Sequence, residues 1–186
     1  MKIPVLFAAL TLAAAPCAAA QTAETTPAAV AAPSDVATPE AIVAALYDVI
    51  SGDAGVARDW DRFRALFHPA GRMIGTGTNA EGVAVARAMT PDDYIARNET
   101  FLVGEGFHER EIASRSERFD AIMHVWSTYE ARHSLFNPAP FMRGINSIQL
   151  FHDGDRWWVL SLVWRAETED APLSAQDLPA ETSAFD

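Results

Sequence analysis

Residues 143–165, RGINSIQLFHDGDRWWVLSLVWR, hold three of the chain's five tryptophans around an Asp153-Gly154 turn. Apolar and polar residues alternate on both sides of the turn, the period-two signature of a β-hairpin. The turn can be closed in two ways. A two-residue loop mixes apolar and polar residues on both faces. A three-residue loop, with His152 and Asp153 in the turn and Gly154 left-handed, sets Leu150, Ile148, Asn146 and Gly144 beside Trp158, Leu160, Leu162 and Trp164. A one-residue slip turns every side chain over, so the cleaner apolar face decides for the second register. It predicts Trp158 and Trp164 inside and Trp157 outside, among Ile145, Val159 and Val163.

The same alternation runs backward through the chain. Residues 107–116, 119–132, 143–151 and 156–165 read as four strands with no helix signal between them. Before them lie three helix patterns. In TPEAIVAALYDVISG, Thr38 caps, Pro39 suits the first turn and Gly52 stops the helix. Asp59 to Phe67 carries Trp60, Phe63 and Phe67 on one side and ends by His68, because Pro69 disfavours helix before it. The third begins at Thr90-Pro91-Asp92-Asp93 and stops at Gly104, with Tyr94, Ile95, Phe101 and Leu102 on the side that Asn98 interrupts. Arg72 to Ile74 allows a short strand. About three N-terminal helices covering one face of an antiparallel sheet of four or more strands is an α+β plan.

The ends read differently. MKIPVLFAALTLAAAPCAAAQ has the basic start, short apolar run and Ala-rich exit of a secretory signal peptide, residues 1–20, predicting an exported protein, periplasmic or secreted. The apolar run is too short to span a bilayer, so no membrane insertion is expected after cleavage. Cleavage after Ala20 would remove Cys17, the only cysteine, and with it any disulfide. Residues 21–37 read as a disordered Ala/Thr/Pro-rich linker, residues 38–166 as one domain, and residues 167–186 as an acidic solvated tail.

Lys2 is the only lysine, so thirteen arginines face twenty-five acids after cleavage. That excludes Schiff-base lysine chemistry and argues against a nucleic-acid partner. The five histidines offer no pair at metal-ligand spacing, and HEREI at His108 has Ile112 where a zinc helix needs a second histidine. GTGTNAEG, residues 75–82, lacks a phosphate-loop ending, and no Gly-x-Ser-x-Gly elbow exists. No metal and no cofactor is expected.

The segments MHVWSTYEARHS and RGINSIQLFHDGDRWWVLSLVWR, with the order of helices then sheet, resemble the nuclear-transport-factor-2-like superfamily in its SnoaL-like branch. The resemblance covers roughly residues 38–165. It implies a curved sheet wrapped around the helices into a cone with a central apolar cavity, commonly in a homodimer. The superfamily includes hydrolases, isomerases, dehydratases, cyclases and members without known catalysis, so the resemblance carries no reaction.

Within such a cone, an ionisable or amide group on an apolar wall would orient a ligand or move a proton. The catalytic candidates are His68 at a helix end, Tyr94 on the third helix, His124 on a strand, and Asn146 on the hairpin's apolar face. Helix capping explains His68 equally well, and a wet sheet face explains His124. Trp126, Tyr129, Trp158 and Trp164 are candidate ligand contacts, although aromatics also fill cores. Trp126 and Tyr129 face opposite ways, and which face of residues 119–132 lines the cavity stays open. The expected function is binding of a small apolar molecule; the alternative is cofactor-free acid/base chemistry as a hydratase, dehydratase, isomerase or cyclase. The apolar outer sheet face predicts a homodimer.

Overall fold

The computed structural model describes residues 30–179. The expected leader with Cys17, residues 21–29 of the expected linker and residues 180–186 lie outside the described residues. The described chain contains helices α1 (Pro33–Val36), α2 (Pro39–Ile50), α3 (Trp60–Leu66) and α4 (Pro91–Glu105), and strands β1 (Phe67–Thr78), β2 (Ala84–Met89), β3 (His108–Phe119), β4 (Ile122–Arg132), β5 (Met142–His152) and β6 (Trp157–Ala166). The six strands form one curved sheet in the order β2-β1-β6-β5-β4-β3. Only β1 and β6 run parallel.

Local chemistry sets the helix starts. The Thr38 hydroxyl accepts the Ala41 amide at 3.1 Å, and Asp59 accepts that of Arg62 at 2.9 Å. Thr90 and Asp93 cap each other reciprocally at the start of α4. That helix runs past Gly104 and ends at Gly106, where φ is 72° and a Cβ would stand 2.5 Å from the His133 carbonyl oxygen. Only glycine meets both demands. The second helix stops one residue short of expectation, because Phe67 turns to an extended conformation and opens β1. His68 is therefore a strand residue. The first half of the glycine-rich stretch, residues 75–78, continues β1, and β2 returns antiparallel against it from Ala84.

Two terminal expectations change. Ala31 and Val36 are buried, and Asp35 binds Arg62 at 2.7 Å, so the segment from residue 30 to 37 is packed rather than a free linker. Likewise residues 167–179 lie along the outer sheet face. Glu167 meets Arg143 at 2.9 Å; Asp177 accepts from Trp126 Nε1 at 3.0 Å and from Arg115 at 2.7 Å. The Thr128 hydroxyl donates to the Asp177 carbonyl oxygen at 2.6 Å.

The hairpin register is the main correction. Its loop spans Asp153 to Arg156, closed by the Asp153 amide on the Arg156 carbonyl oxygen at 3.2 Å. Asp153 Oδ1 also accepts the amides of Asp155 and Arg156 at 2.9 Å. A bulge then intervenes: Leu150 pairs with Val159 but Gln149 pairs with Ser161, leaving Leu160 as the extra residue. Beyond the bulge the expected sharing of a face holds, since Asn146 and Ile148 lie with Leu162 and Trp164, but the partners are shifted, with Asn146 opposite Trp164 and Ile148 opposite Leu162. Nearer the turn the faces are reversed. Trp157 is 3% exposed, in the core beside Val159, whereas Trp158 is outside, donating Nε1 to Asp153 at 2.6 Å beneath the Arg156 guanidinium. Periodicity alone cannot place a bulge, because the extra residue inverts the alternation from that point onward.

Arg58 joins the helices to one another. Its guanidinium is buried and donates to the carbonyl oxygens of Ile50 (2.9 Å), Gly52 (2.6 Å) and Leu102 (2.8 Å), with a further contact to that of Val56. The Ile50 and Leu102 carbonyls lie in the last turns of α2 and α4 and would otherwise face protein unpaired; that of Gly52 also accepts the Phe107 amide at 3.0 Å. Replacing Arg58 by Leu is expected to lower stability by about 3 kcal/mol, read as a shifted midpoint in urea. An unchanged midpoint would show that solvent satisfies these carbonyls.

Candidate functional site

The concave face of the sheet holds a row of polar side chains. Alternation on β3 turns Glu109 and Glu111 inward, and a bulge after Glu111 brings Ser114 and Ser116 to the same side. Tyr129 and Ser127 face inward from β4, Asn146 from β5, and Tyr47 meets them from α2. Asn146 Nδ2 donates to the Tyr47 hydroxyl at 3.1 Å and to Glu109 Oε1 at 3.2 Å. Ser127 Oγ lies 2.6 Å from the Tyr47 hydroxyl and donates to Glu111 Oε2 at 2.5 Å. Because the one serine proton serves Glu111, Tyr47 donates to Ser127, giving the directed chain Asn146, Tyr47, Ser127, Glu111. Ser114 donates to the second Glu111 oxygen at 2.8 Å.

This row separates two spaces. An open groove of about 760 Å³ runs between α2 and the β3–β4 edge, walled by Val43, Ala44, Met123 and Val125. A deeper cavity of about 140 Å³ lies between α4 and the sheet. Tyr94, Tyr129, Asn146 and Trp164 line the deep cavity with Phe101 and Phe107, and Glu109 borders both spaces. Asn98, the polar break in the α4 stripe, also lines the deep cavity, and its Nδ2 donates to the Tyr94 carbonyl oxygen at 2.8 Å.

Glu109 has no cationic partner among the described residues. Burial pushes its carboxyl up from 4.5 to about 8, opposed only by the Asn146 hydrogen bond. Burial also raises the hydroxyl pKa values of Tyr47, Tyr94 and Tyr129, and the nearby Glu109 charge raises them further. At neutral pH the interior therefore carries a protonated carboxylic acid and neutral phenols.

Two buried polar groups are left without a partner. Tyr129 is 2% exposed, and its hydroxyl makes no hydrogen bond among the described residues. Asn146 is 5% exposed, and its Oδ1 accepts none. Among the described residues no fully enclosed side-chain polar atom lacks a partner, so both atoms reach the cavity space. Gly144 makes room for the phenol: a Cβ there would stand 2.6 Å from the Tyr129 hydroxyl.

Of the expected site residues, the structure unites Tyr94, Tyr129, Asn146 and Trp164 in the deep cavity. The others lie on the outer face. His68 packs edge-on against Trp158 and Phe151. His124 is 2.9 Å from Ser147, and Trp126 is bound by Asp177 under the C-terminal segment. The alternation of β4 settles which way it faces: Tyr129 inward, Trp126 and His124 outward. Among the described residues, no three His, Cys, Asp or Glu side chains converge as a metal site requires.

No family model matches the chain, and no curated protein does. Several solved structures do. A protein of unknown function with a cystatin-like fold from Nostoc punctiforme superposes with a TM-score of 0.50 at 8% identity, covering 69% of this chain and 87% of its own. An NTF-2-like protein of unknown function from Silicibacter pomeroyi gives 0.45 at 18% identity, covering 70% and 94%. A provisionally named scytalone dehydratase from Novosphingobium aromaticivorans gives 0.43 at 13% identity, covering 66% and 80%. Several of these structures are named NTF2-like; at these identities the likeness concerns the fold alone.

Glu109, Tyr47, Ser127 and Glu111 were not among the expected site residues. The signal for the two acids was present: in FHEREI, residues 107–112, period two sets Glu109 and Glu111 on the face of buried Phe107. Glu109 also makes stability depend on pH. The folded chain keeps this proton up to about pH 8, whereas an ordinary carboxyl releases it near 4.5. The native state therefore binds more protons between those values, and stability falls as pH rises through that window. Melting temperatures of wild type and Glu109→Gln should coincide near pH 4.5 and diverge toward pH 8, with the variant more stable. Parallel curves would contradict the buried, protonated carboxyl.

Proposed function

We propose that the protein binds a small, largely apolar molecule in the deep cavity and exchanges a proton with it through Glu109. The observation that carries this reading is the pair of unpartnered, buried polar groups, Tyr129 and Asn146, beside a carboxyl that titrates about pH 8. A carboxyl with a pKa close to ambient pH both gives and takes a proton readily, as cofactor-free acid/base chemistry requires. Tyr94 and Tyr129 would hold an oxygen or nitrogen of the guest, while Trp164, Phe101 and Phe107 enclose its apolar part. Hydration, dehydration, isomerisation and cyclisation all need such a transfer, and simple binding uses the same contacts without it.

An activated carbon acid tests the proton transfer. The ring opening of 5-nitrobenzisoxazole should follow Glu109 ionisation, rising with pH to a plateau above about 8. Glu109→Gln should lower it by about a hundredfold. A rate that survives the substitution would remove Glu109 from the chemistry and leave binding as the function.

Export and dimerisation belong to the same proposal. The leader pattern of residues 1–20 supports export, and the half-buried outer stripe of Ile145 and Val163 supports a second copy packed on the sheet. Protein recovered outside the cytoplasm should lack residues 1–20 by mass and sediment as two chains. Retention of the leader would overturn the first element, and a monomer at tens of micromolar the second.

A further inference from the structure

We infer that the guest of the deep cavity is a small organic amine, bound as its ammonium ion. The inference deepens the proposed function, since it rests on that cavity being the binding site. Five aromatic residues, Tyr94, Phe101, Phe107, Tyr129 and Trp164, share the cavity wall with Glu109, and no Arg, Lys or His does. Aromatic faces with one carboxyl attract a cation in a desolvated space. An anion would find no cationic side chain there.

The unpaired polar atoms narrow the class. Both Asn146 N–H groups are spent, one on Tyr47 and one on Glu109, so Oδ1 remains as an acceptor. Glu109 accepts only at Oε1, so once its proton leaves, Oε2 is another. The ionised Glu109 and Asn146 Oδ1 together call for N–H donation, and the Tyr129 hydroxyl, which accepts as well as donates, is compatible with it. A primary ammonium brings three donors and a positive charge. A ketone or ether brings acceptors alone and would leave Asn146 Oδ1 unmatched.

The charges around Glu109 agree. α2 contributes Tyr47 and Ser51, α4 contributes Tyr94, β4 contributes Tyr129 and Ser127, and β5 contributes Asn146. Glu111 on the same strand adds a second negative group. The bases that line the open groove with Glu109 are engaged elsewhere, His108 with Asp53 at 2.9 Å and Arg110 and Arg132 with Glu130 at 2.8 and 3.0 Å. A cationic guest supplies the counter-charge that the protein withholds. A volume near 140 Å³ limits that guest to about one ring with a short side chain.

Calorimetry on the full chain with benzylamine, and with benzyl alcohol as its neutral isostere, tests the inference. Benzylamine stays protonated from pH 6 to 8, so its binding should follow Glu109 ionisation. Affinity should rise about 50-fold over that range for a carboxyl at about 8. Close to one proton should be released at pH 7, read from buffers of different ionisation enthalpy. Glu109→Gln should abolish the pH dependence and weaken benzylamine at pH 8 about tenfold or more. Binding of benzyl alcohol without benzylamine would overturn the amine assignment but preserve the cavity as a binding site. Benzylamine binding without proton release, or unaffected by Glu109→Gln, would also overturn it. Failure of both compounds to bind would remove the cavity reading itself.

Discussion

The two amide hydrogens of Asn146 tie the molecule together. One goes to Tyr47 on α2 and the other to Glu109 on β3, so a single side chain on β5 joins the helix layer to a distant part of the sheet. Asn146 also stands opposite Ser127 on β4 and Trp164 on β6. A register slip at either ladder would take the amide off the concave face and leave Tyr47 and Glu109 without their donor. Buried networks of this kind penalise every alternative packing strongly, because each unmatched polar atom stays desolvated.

The sheet reaches this arrangement through two bulges, one on β3 after Glu111 and one on β6 at Leu160. Each sharpens strand bend and twist where it occurs. On β3 the bulge lets Glu109, Glu111, Ser114 and Ser116 share one face. On β6 it puts Trp157, Val159, Leu162 and Trp164 inward although their spacing breaks alternation. The curved wall and its polar row thus have the same origin in two extra residues.

Much of this was legible in the chain itself. The α2, α3 and α4 patterns, the four strands from β3 to β6 and the α+β plan follow from capping residues and periodicity, and the placing of Asn146 and Trp164 on one face follows from the hairpin's apolar alternation. The Leu160 bulge was not legible, and it exchanged the roles of Trp157 and Trp158. His68 looked like a helix cap because Pro69 ends the helix, but nothing local shows the chain turning straight into a strand. Glu109 escaped notice for another reason. A glutamate in an exposed-looking HERE segment reads as solvated, and only the tertiary fold brings Tyr47, Tyr94 and Tyr129 around it.

The single parallel pair, β1 with β6, has a consequence in time. Met73 pairs with Leu162 and Gly75 with Trp164, across more than half of the described chain. Met73, Leu162 and Trp164 all belong to the deep cavity wall. Contacts so far apart in sequence are slow to form, because a long loop must close before they contribute. The cavity therefore has no earlier, partial version: until β6 docks beside β1 its wall is missing, and a guest can meet only the completed sheet.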